Sequence, residues 1–376
     1  MIKFLKILAV ILFYFAWGTY YVLLKPRFVD LNASYIQILL IDSIPAVIAL
    51  TSILWGRLAD LISRRAFLAF SAIGGFVIVF FGFCSSINSL LLLLAILSVF
   101  SSMALPVINA LFSFETEVEA SFALYLLAEA AGWMLSGIFI GYFSKTISLM
   151  RVGYSVGAFC WVLGVLILVY IMGRTPTVES RPENAHKLKI NKPLLNLMLG
   201  IFFLELGIVI SYGILSVKLY ETLNRSKLIY GIVWATLPSF ASVLVSRFYG
   251  GIVRRVSPWN SLIMIAVIYL ININVLRMAS GYVMAFFWIL PLWNFMYIAL
   301  YSAVTRVSEP EVRASAFGLT NSVLNLAMAF TILGGFLSDR FGQSVGLGAG
   351  VFSVVLSLLF FNLLKSEVKV LKHVAG

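Results

Sequence analysis

The chain has 376 residues, 62% of them hydrophobic and 11% charged, with a mean hydropathy of +1.04. A soluble domain carries about 45–50% apolar and about 25% charged residues, so a water-soluble globule, a disordered chain and a disulfide-stapled scaffold are all excluded. The formal charge of +12 sits in short loops between apolar runs and not on one continuous face, which reads as helix-orienting Lys and Arg and argues against nucleic acid as a partner. Cys84 and Cys160 lie in or beside apolar runs without ligand-type neighbours, which argues against a zinc site or disulfide framework.

A spanning helix needs about 20 mostly apolar residues. Twelve such runs follow in chain order: 4–24, 34–55, 67–85, 89–112, 121–143, 153–173, 194–217, 228–248, 259–277, 281–303, 315–337 and 346–364. The first is too long for a signal-peptide core and lacks a small-residue cleavage site, so it counts as a spanning helix. The longest polar interruption, 174–193, separates six runs from six. With the N-terminus cytoplasmic, 18 of the 27 Lys and Arg fall in inner segments and 9 in outer ones, which places both termini inside a plasma membrane crossed many times. The expected fold class is therefore an all-α integral membrane protein of twelve transmembrane helices. Its expected domains are an N-terminal six-helix bundle (1–173), a cytoplasmic linker (174–193) and a C-terminal six-helix bundle with a short tail (194–376).

The two halves carry a repeat. ETEVEAS at Glu115–Ser121 matches EPEVRAS at Glu309–Ser315 in five of seven residues, at an offset of 194 that also carries Gly56 onto Gly250. Two landmarks in register with the six-plus-six division indicate duplication of a six-helix unit, a known transporter architecture.

Three carboxylates stand inside apolar runs: Asp42 in the second, Glu129 in the fifth and Glu205 in the seventh. Ionisable groups in hydrocarbon are expensive and mark ion or proton pathways. Glu205 lies eleven residues into its run, near mid-bilayer, and each of the three is a candidate proton carrier. The other readings are a carboxylate hydrogen-bonded for packing and, at Asp42, one bonding backbone freed by Pro45. Gly132, Ser136, Gly137 and Gly141 on the fifth run read as close helix packing, as do Gly346, Gly348 and Gly350, which follow no strand.

The segment GRLADLISRR, Gly56–Arg65, resembles the signature loop between helices 2 and 3 of the major facilitator superfamily. Gly56, Leu58, Asp60, Arg64 and Arg65 match, and Ser63 stands where a second Gly is usual. PEVRASAFGL (Pro310–Leu319) and GGFLSDRFG (Gly334–Gly342) resemble the entry and exit of helix 11 in that family. The resemblance implies two six-helix bundles around one central cavity. It also implies that Asp60 faces the start of helix 11, where Arg313 lies and where a helix N-terminus favours a carboxylate. By the repeat offset Asp60 maps to Arg254 and Arg313 to Glu119. Two opposite-charge pairs, Asp60 with Arg313 and Arg254 with Glu119, are expected to gate the cytoplasmic side, together with Gly56, Arg64 and Arg65. The alternative is a set of solvated loop charges worth ~0–1 kcal/mol each.

The resemblance further implies that helices 1, 4, 7 and 10 line the cavity, which favours Glu205 as the proton carrier. Helix 4 lacks the intramembrane Arg of many proton-coupled drug exporters, a departure from that pattern. On these helices Tyr14 and Trp17, Asn109, Glu205 and Tyr212, and Asn294 and Tyr297 are the expected substrate-binding residues, while Tyr21 and Tyr301 are expected in the interfacial belt. Few charges on these helices suggest a neutral or amphiphilic organic solute.

GYSVG at Gly153–Gly157 imitates a nucleophile elbow, yet it opens a spanning helix, and His186 and His373 lie in a loop and the tail. No GxxxxGK[ST] phosphate loop is present. The chain is thus expected to be no enzyme, to need no cofactor or metal, and to act as a monomer. It reads as a secondary transporter working by alternating access, coupled to protons. An uncoupled uniporter, and a non-transporting sensor or scaffold on the same fold, are the alternatives.

Overall fold

The structure, a computed structural model, describes residues 2–113, 118–174, 191–308 and 313–374. Twelve helical columns follow one another: α1 (Ile2–Asp30), α2 (Tyr35–Ala49, resuming as Ser52–Leu61), α3 (Arg64–Ser71 and Ile73–Phe80) and α4 (Ile87–Ser113). Then come α5 (Val118–Phe143), α6 (Ile147–Met172), α7 (Lys192–Thr222) and α8 (Lys227–Val256). The chain closes with α9 (Pro258–Met278), α10 (Gly281–Trp288 and Leu292–Val307), α11 (Arg313–Ala329 and Ile332–Phe341) and α12 (Gln343–Val374). Among the described residues ten helices are long and apolar enough to cross a membrane, and α2 and α3 are not among the ten. Phe76, Phe159, Phe248, Phe286 and Phe352 are exposed, as suits surfaces that meet lipid.

The interruptions have local causes. Pro45 removes the donor to the Ile41 carbonyl within α2, and the helix breaks six residues later at Thr51, whose hydroxyl bonds the Ile48 carbonyl (2.6 Å). Pro291, which has no N–H to donate, stands at the break in α10. In α11 the break falls at Thr331, whose hydroxyl bonds the Met328 carbonyl (2.7 Å). In α8 the turns from Ile232 to Thr236 widen to π-helical winding.

Two compact units result. The first comprises Met1–Ala33, Ile44–Glu179 and Val217–Val243; the second comprises Ser34–Ser43, Ser180–Ser216 and Leu244–Gly376. In the first unit α5 presses on two neighbours through its small residues. A Cβ on Gly132 would lie 2.8 Å from the Ile11 carbonyl of α1, and one on Gly137 would lie 2.5 Å from the Gly231 carbonyl of α8. Only glycine permits either approach, and the wide turn of α8 lets Thr236 donate to the Met134 carbonyl (2.8 Å).

The run expected to end at residue 24 continues as helix to Asp30, and Lys25 and Arg27 are buried, not in a loop. The guanidinium of Arg27 donates to the carbonyls of Phe81 (2.7 Å) and Cys84 (2.5 Å), beyond the last turn of α3, and to the Tyr154 hydroxyl (3.2 Å). A cation at a helix C-terminus satisfies carbonyls that have no intrahelical donor.

In the second unit a carboxylate does the converse. Asp339 of α11 accepts hydrogen bonds from the backbone N–H groups of Tyr35 (2.8 Å) and Ile36 (2.9 Å), capping the first turn of α2. Ser43 and Thr331 join the same two helices through their hydroxyls (2.8 Å). Gly346 and Gly350 of α12 pack against Ser338 and Ser211.

Arg27→Met keeps roughly the side-chain volume and removes the guanidinium donors to the Phe81 and Cys84 carbonyls. It is expected to lower stability by about 2–3 kcal/mol in an SDS-unfolding equilibrium. A loss below about 0.5 kcal/mol would show that those carbonyls have other donors.

Candidate functional site

In the first unit, Tyr125, Glu129 and Trp133 recur every fourth residue along α5 and so share one face. Glu129 accepts hydrogen bonds from the Trp133 indole and from the Tyr14 hydroxyl of α1. The Tyr14 oxygen in turn lies 2.5 Å from the Tyr125 hydroxyl. Either hydroxyl can be the donor of that bond. The Tyr14 ring stacks on Trp17 with centroids 5.9 Å apart.

Rings continue from there along α1 and α8. Tyr21 meets Trp133 edge-on (6.0 Å) and Trp234 at 6.2 Å, and Trp133 lies 6.1 Å from Trp234. Tyr230 stacks on Trp234 (6.3 Å) and meets Tyr220 edge-on (5.6 Å). The Tyr220 hydroxyl donates to Asp30 (3.2 Å), which also takes Lys227 at 2.8 Å. A series of rings thus runs between two carboxylates, Glu129 halfway along its helix and Asp30 at the end of α1. Beside Asp30 and Tyr220 lies a cavity of about 450 Å³, lined also by Lys145, Arg225 and Lys227.

The second unit holds the other cluster. Glu205, midway along α7, is 7% exposed and makes no hydrogen bond or ion pair with any described residue. The Tyr269 hydroxyl of α9 is within its electrostatic reach. One face-repeat along α7, the Tyr212 hydroxyl donates to Asn272 Oδ1 (2.7 Å), and Asn272 Nδ2 donates to the Phe287 carbonyl (3.1 Å). The Tyr212 ring lies 5.1 Å from Trp288 and 6.1 Å from Tyr269. Asn294 donates to Ser246 Oγ (2.8 Å), and Tyr297 packs at 5.6 Å from Tyr301. Asp42 is 4% exposed, with its carboxylate 3.6 Å from where a Cβ on Gly213 of α7 would stand.

The expected binding residues therefore fall into two groups. Tyr14 and Trp17 come together with Glu129; Tyr212 stands on the same helix as Glu205 with its own aromatic partners. Asn109 joins neither by a hydrogen bond, and its Oδ1 is buried without a donor among the described residues. Tyr21, expected in the interfacial belt, packs internally because α1 runs nine residues beyond it. Tyr125, Trp133, Tyr269 and Asn272 were outside the expected set. The i, i+4, i+8 spacing on α5 carried the signal for the first two, but attention to helices 1, 4, 7 and 10 left α5 aside.

Of the expected gate, the side chains of Asp60, Glu119 and Arg313 and the surroundings of Gly56 lie outside the described residues, as do 115–117 and 309–312 of the repeated motif. Arg64 and Arg65 open α3 behind Ser63, whose hydroxyl accepts from the Ala66 N–H (3.2 Å). The Arg65 guanidinium carbon lies 3.2 Å from where a Cβ on Gly173 would stand, so this cation rests on the end of α6. Arg254 is exposed in the last turn of α8.

Residues 7–331 match the family model of the Major Facilitator Superfamily. The Multidrug resistance protein MdtG of Proteus mirabilis (strain HI4320) is 22% identical over 339 residues, covering 85% of this chain and 81% of that protein. Among solved structures, a bacterial homolog of the human lysosomal transporter Spinster, inward-facing and occupied, superposes with a TM-score of 0.76 at 15% identity, over 97% of this chain and 96% of that one. The nucleoside transporter NupG superposes at 0.71 with 16% identity, over 96% and 98%.

Trp133→Phe and Tyr14→Phe each remove one hydrogen bond from Glu129 and are expected to cost about 1–2 kcal/mol of stability. In a Glu129→Gln background the losses should shrink, giving a coupling of about 1 kcal/mol in double-mutant cycles of SDS unfolding. Additive losses would show that the three side chains do not act together.

Proposed function

The chain belongs to the major facilitator superfamily and is a multi-pass membrane transporter, and we propose that it moves a small organic solute by alternating access, driven by protons through Glu205. The observation that carries this reading is the placing of Glu205: halfway along α7, almost fully buried, and without a hydrogen-bond donor or cation among the described residues. A carboxylate so placed has no fixed partner to hold one charge state, which suits a group that takes up and releases a proton as access alternates. Asp42 and Glu129 are the other candidate carriers. The similarity to a multidrug resistance protein supports an amphiphilic or drug-like solute. Glu205, Tyr212, Asn294 and Tyr297 in one unit, and Tyr14, Trp17 and Asn109 in the other, are the proposed solute contacts.

In this reading the six-helix halves, 1–173 and 194–376, are the repeated bodies, joined by 174–193. In this reading both termini lie in the cytoplasm, which the Lys and Arg bias supports, and the protein acts as a monomer in the plasma membrane. Asp60 with Arg313, and Arg254 with Glu119, are the proposed cytoplasmic gate, with Gly56, Arg64 and Arg65 shaping the loop.

A thermal-shift screen of pooled sugars, amino acids, nucleosides and lipophilic cations identifies a transported solute, since a ligand at 100 times its Kd stabilises by about 2.7 kcal/mol. With that solute in proteoliposomes, Glu205→Gln is expected to abolish accumulation driven by a pH gradient while counterflow exchange continues. Accumulation that survives the substitution would rule out Glu205 as the carrier. Loss of pH dependence in the wild type would point to uniport. For the gate, Asp60→Arg is expected to impair transport and Arg313→Asp to restore part of it; a double variant no better than either single one would dissolve the pair.

A further inference from the structure

The cavity of about 450 Å³ beside Asp30 has no part in the transport reading. Its walls come from helix ends within the first compact unit: the end of α1, the end of α5, the last turn of α7 and the start of α8. Its floor forms where a Cβ on Gly141 would lie 2.8 Å from the Leu228 Cα, so that α5 and α8 nearly touch. Since α1 enters the bilayer at Ile2 and ends at Asp30, the cavity stands at the membrane surface opposite the N-terminus, at the level of lipid headgroups.

The charges of the lining do not balance. Lys145, Arg225 and Lys227 face one carboxylate, Asp30, and Asp30 is already engaged by Lys227 at 2.8 Å and by the Tyr220 hydroxyl at 3.2 Å. Lys145 is exposed, has no carboxylate within 4.0 Å among the described residues, and rests its ammonium on the Tyr142 ring, 4.3 Å from the centroid. Arg225 meets Glu221 only at 3.9 Å, with both side chains more than half exposed, a contact that holds a guanidinium weakly. The backbone places it at the rim at some cost: Asn224 (φ 52°) and Arg225 (φ 54°) are both left-handed, and the Arg225 N–H is tied to the Tyr220 carbonyl (3.0 Å).

We propose that this cavity binds a phosphate group through Lys145 and Arg225. An ammonium and a guanidinium with spare donors, beside a carboxylate that is already paired, suit an oxyanion able to accept from both at once. A cation would be repelled by the uncompensated pair. The surroundings favour the headgroup of an anionic phospholipid as the source of the phosphate. Leading from the membrane interior to Lys145, α5 exposes Leu135, Ile138 and Tyr142, spaced i, i+3 and i+7 on one face, and α8 exposes Ile229 beside the cavity. A lipid with its phosphate in the cavity can lay its chains along that stripe. A choline headgroup would bring a third positive charge to the pair, so phosphatidylglycerol fits better than phosphatidylcholine. Free phosphate shares the chemistry but makes no use of the apolar stripe. The site needs neither Glu205 nor proton coupling, so its failure leaves the transport reading untouched.

The test titrates the full-length, detergent-purified protein with dioleoylphosphatidylglycerol or dioleoylphosphatidylcholine and counts bound lipid by native mass spectrometry. The wild type is expected to take its first phosphatidylglycerol at least about tenfold more tightly than phosphatidylcholine. Lys145→Gln and Arg225→Gln, both at exposed positions, should each reduce that preference by about threefold or more, and together leave less than about twofold. Arg340→Gln removes an exposed cation at the end of α11, outside the cavity, and should change it by less than about twofold. A second arm measures binding of inorganic phosphate by equilibrium dialysis. Phosphatidylglycerol preference that depends on Lys145 and Arg225, without saturable binding of millimolar phosphate, establishes the lipid headgroup as occupant. Phosphate binding that depends on the same two residues keeps the site and assigns it to a free phosphate wherever the lipid preference is missing. The site is overturned if neither probe depends on Lys145 and Arg225, or if Arg340→Gln lowers the lipid preference as much as the double variant does.

Discussion

Inside a bilayer no water remains to satisfy a polar group, so a buried donor, acceptor or charge is costly unless it finds a partner in the protein itself. Most hydroxyls solve this within their own helix. Ser98 bonds the Leu94 carbonyl (2.6 Å), Ser216 that of Gly213 (2.6 Å) and Ser357 that of Val354 (2.7 Å), contacts that consume a donor without linking helices. The groups that cannot be satisfied locally are the ones that organise the fold. Arg27 reaches carbonyls at the end of α3, Asp339 gathers the free N–H groups of α2, and Thr236 bridges to α5 across the wide turn of α8. Each joins one helix's unsatisfied terminus or displaced turn to another helix.

The same constraint explains what the sequence disclosed. Hydrocarbon thickness sets helix length, so runs of about 20 apolar residues could be read directly. The breaks and extensions that depend on a distant partner were silent. Arg27 read as a loop charge because nothing in its neighbourhood reveals that the end of α3 will receive it. The π turn of α8 stands just before Pro238, which cannot donate to the Trp234 carbonyl, and it accompanies the approach of Gly231 to Gly137, two residues far apart in sequence. Glycine on α5 was legible as packing, but not which partner each glycine would meet.

Legibility of the site divides along the same line. Glu129 and Glu205 stood out because charge in an apolar run is rare and costly. Their surroundings did not. The partners of Glu129 on α5 follow helical spacing and were visible in principle, whereas Tyr14 joins them only because Gly132 lets α1 and α5 approach closely. Asn272, which holds Tyr212, sits on α9, a helix with no cavity role in the resemblance.

What separates the two carboxylates is therefore their neighbours and not their depth. Among the described residues Glu129 has the Trp133 indole and the Tyr14 hydroxyl beside it with a series of rings beyond, whereas Glu205 has rings nearby and no donor. Fixed oxygens favour a ligand whose charge must be met from a defined direction, and their orientation is maintained whether or not the ligand is present. A carboxylate without donors gains nothing from a defined orientation, and a proton, which demands none beyond the O–H bond itself, is the partner best matched to it. Glu129 and Glu205 lie in different compact units, so each acquires its environment from its own unit's packing.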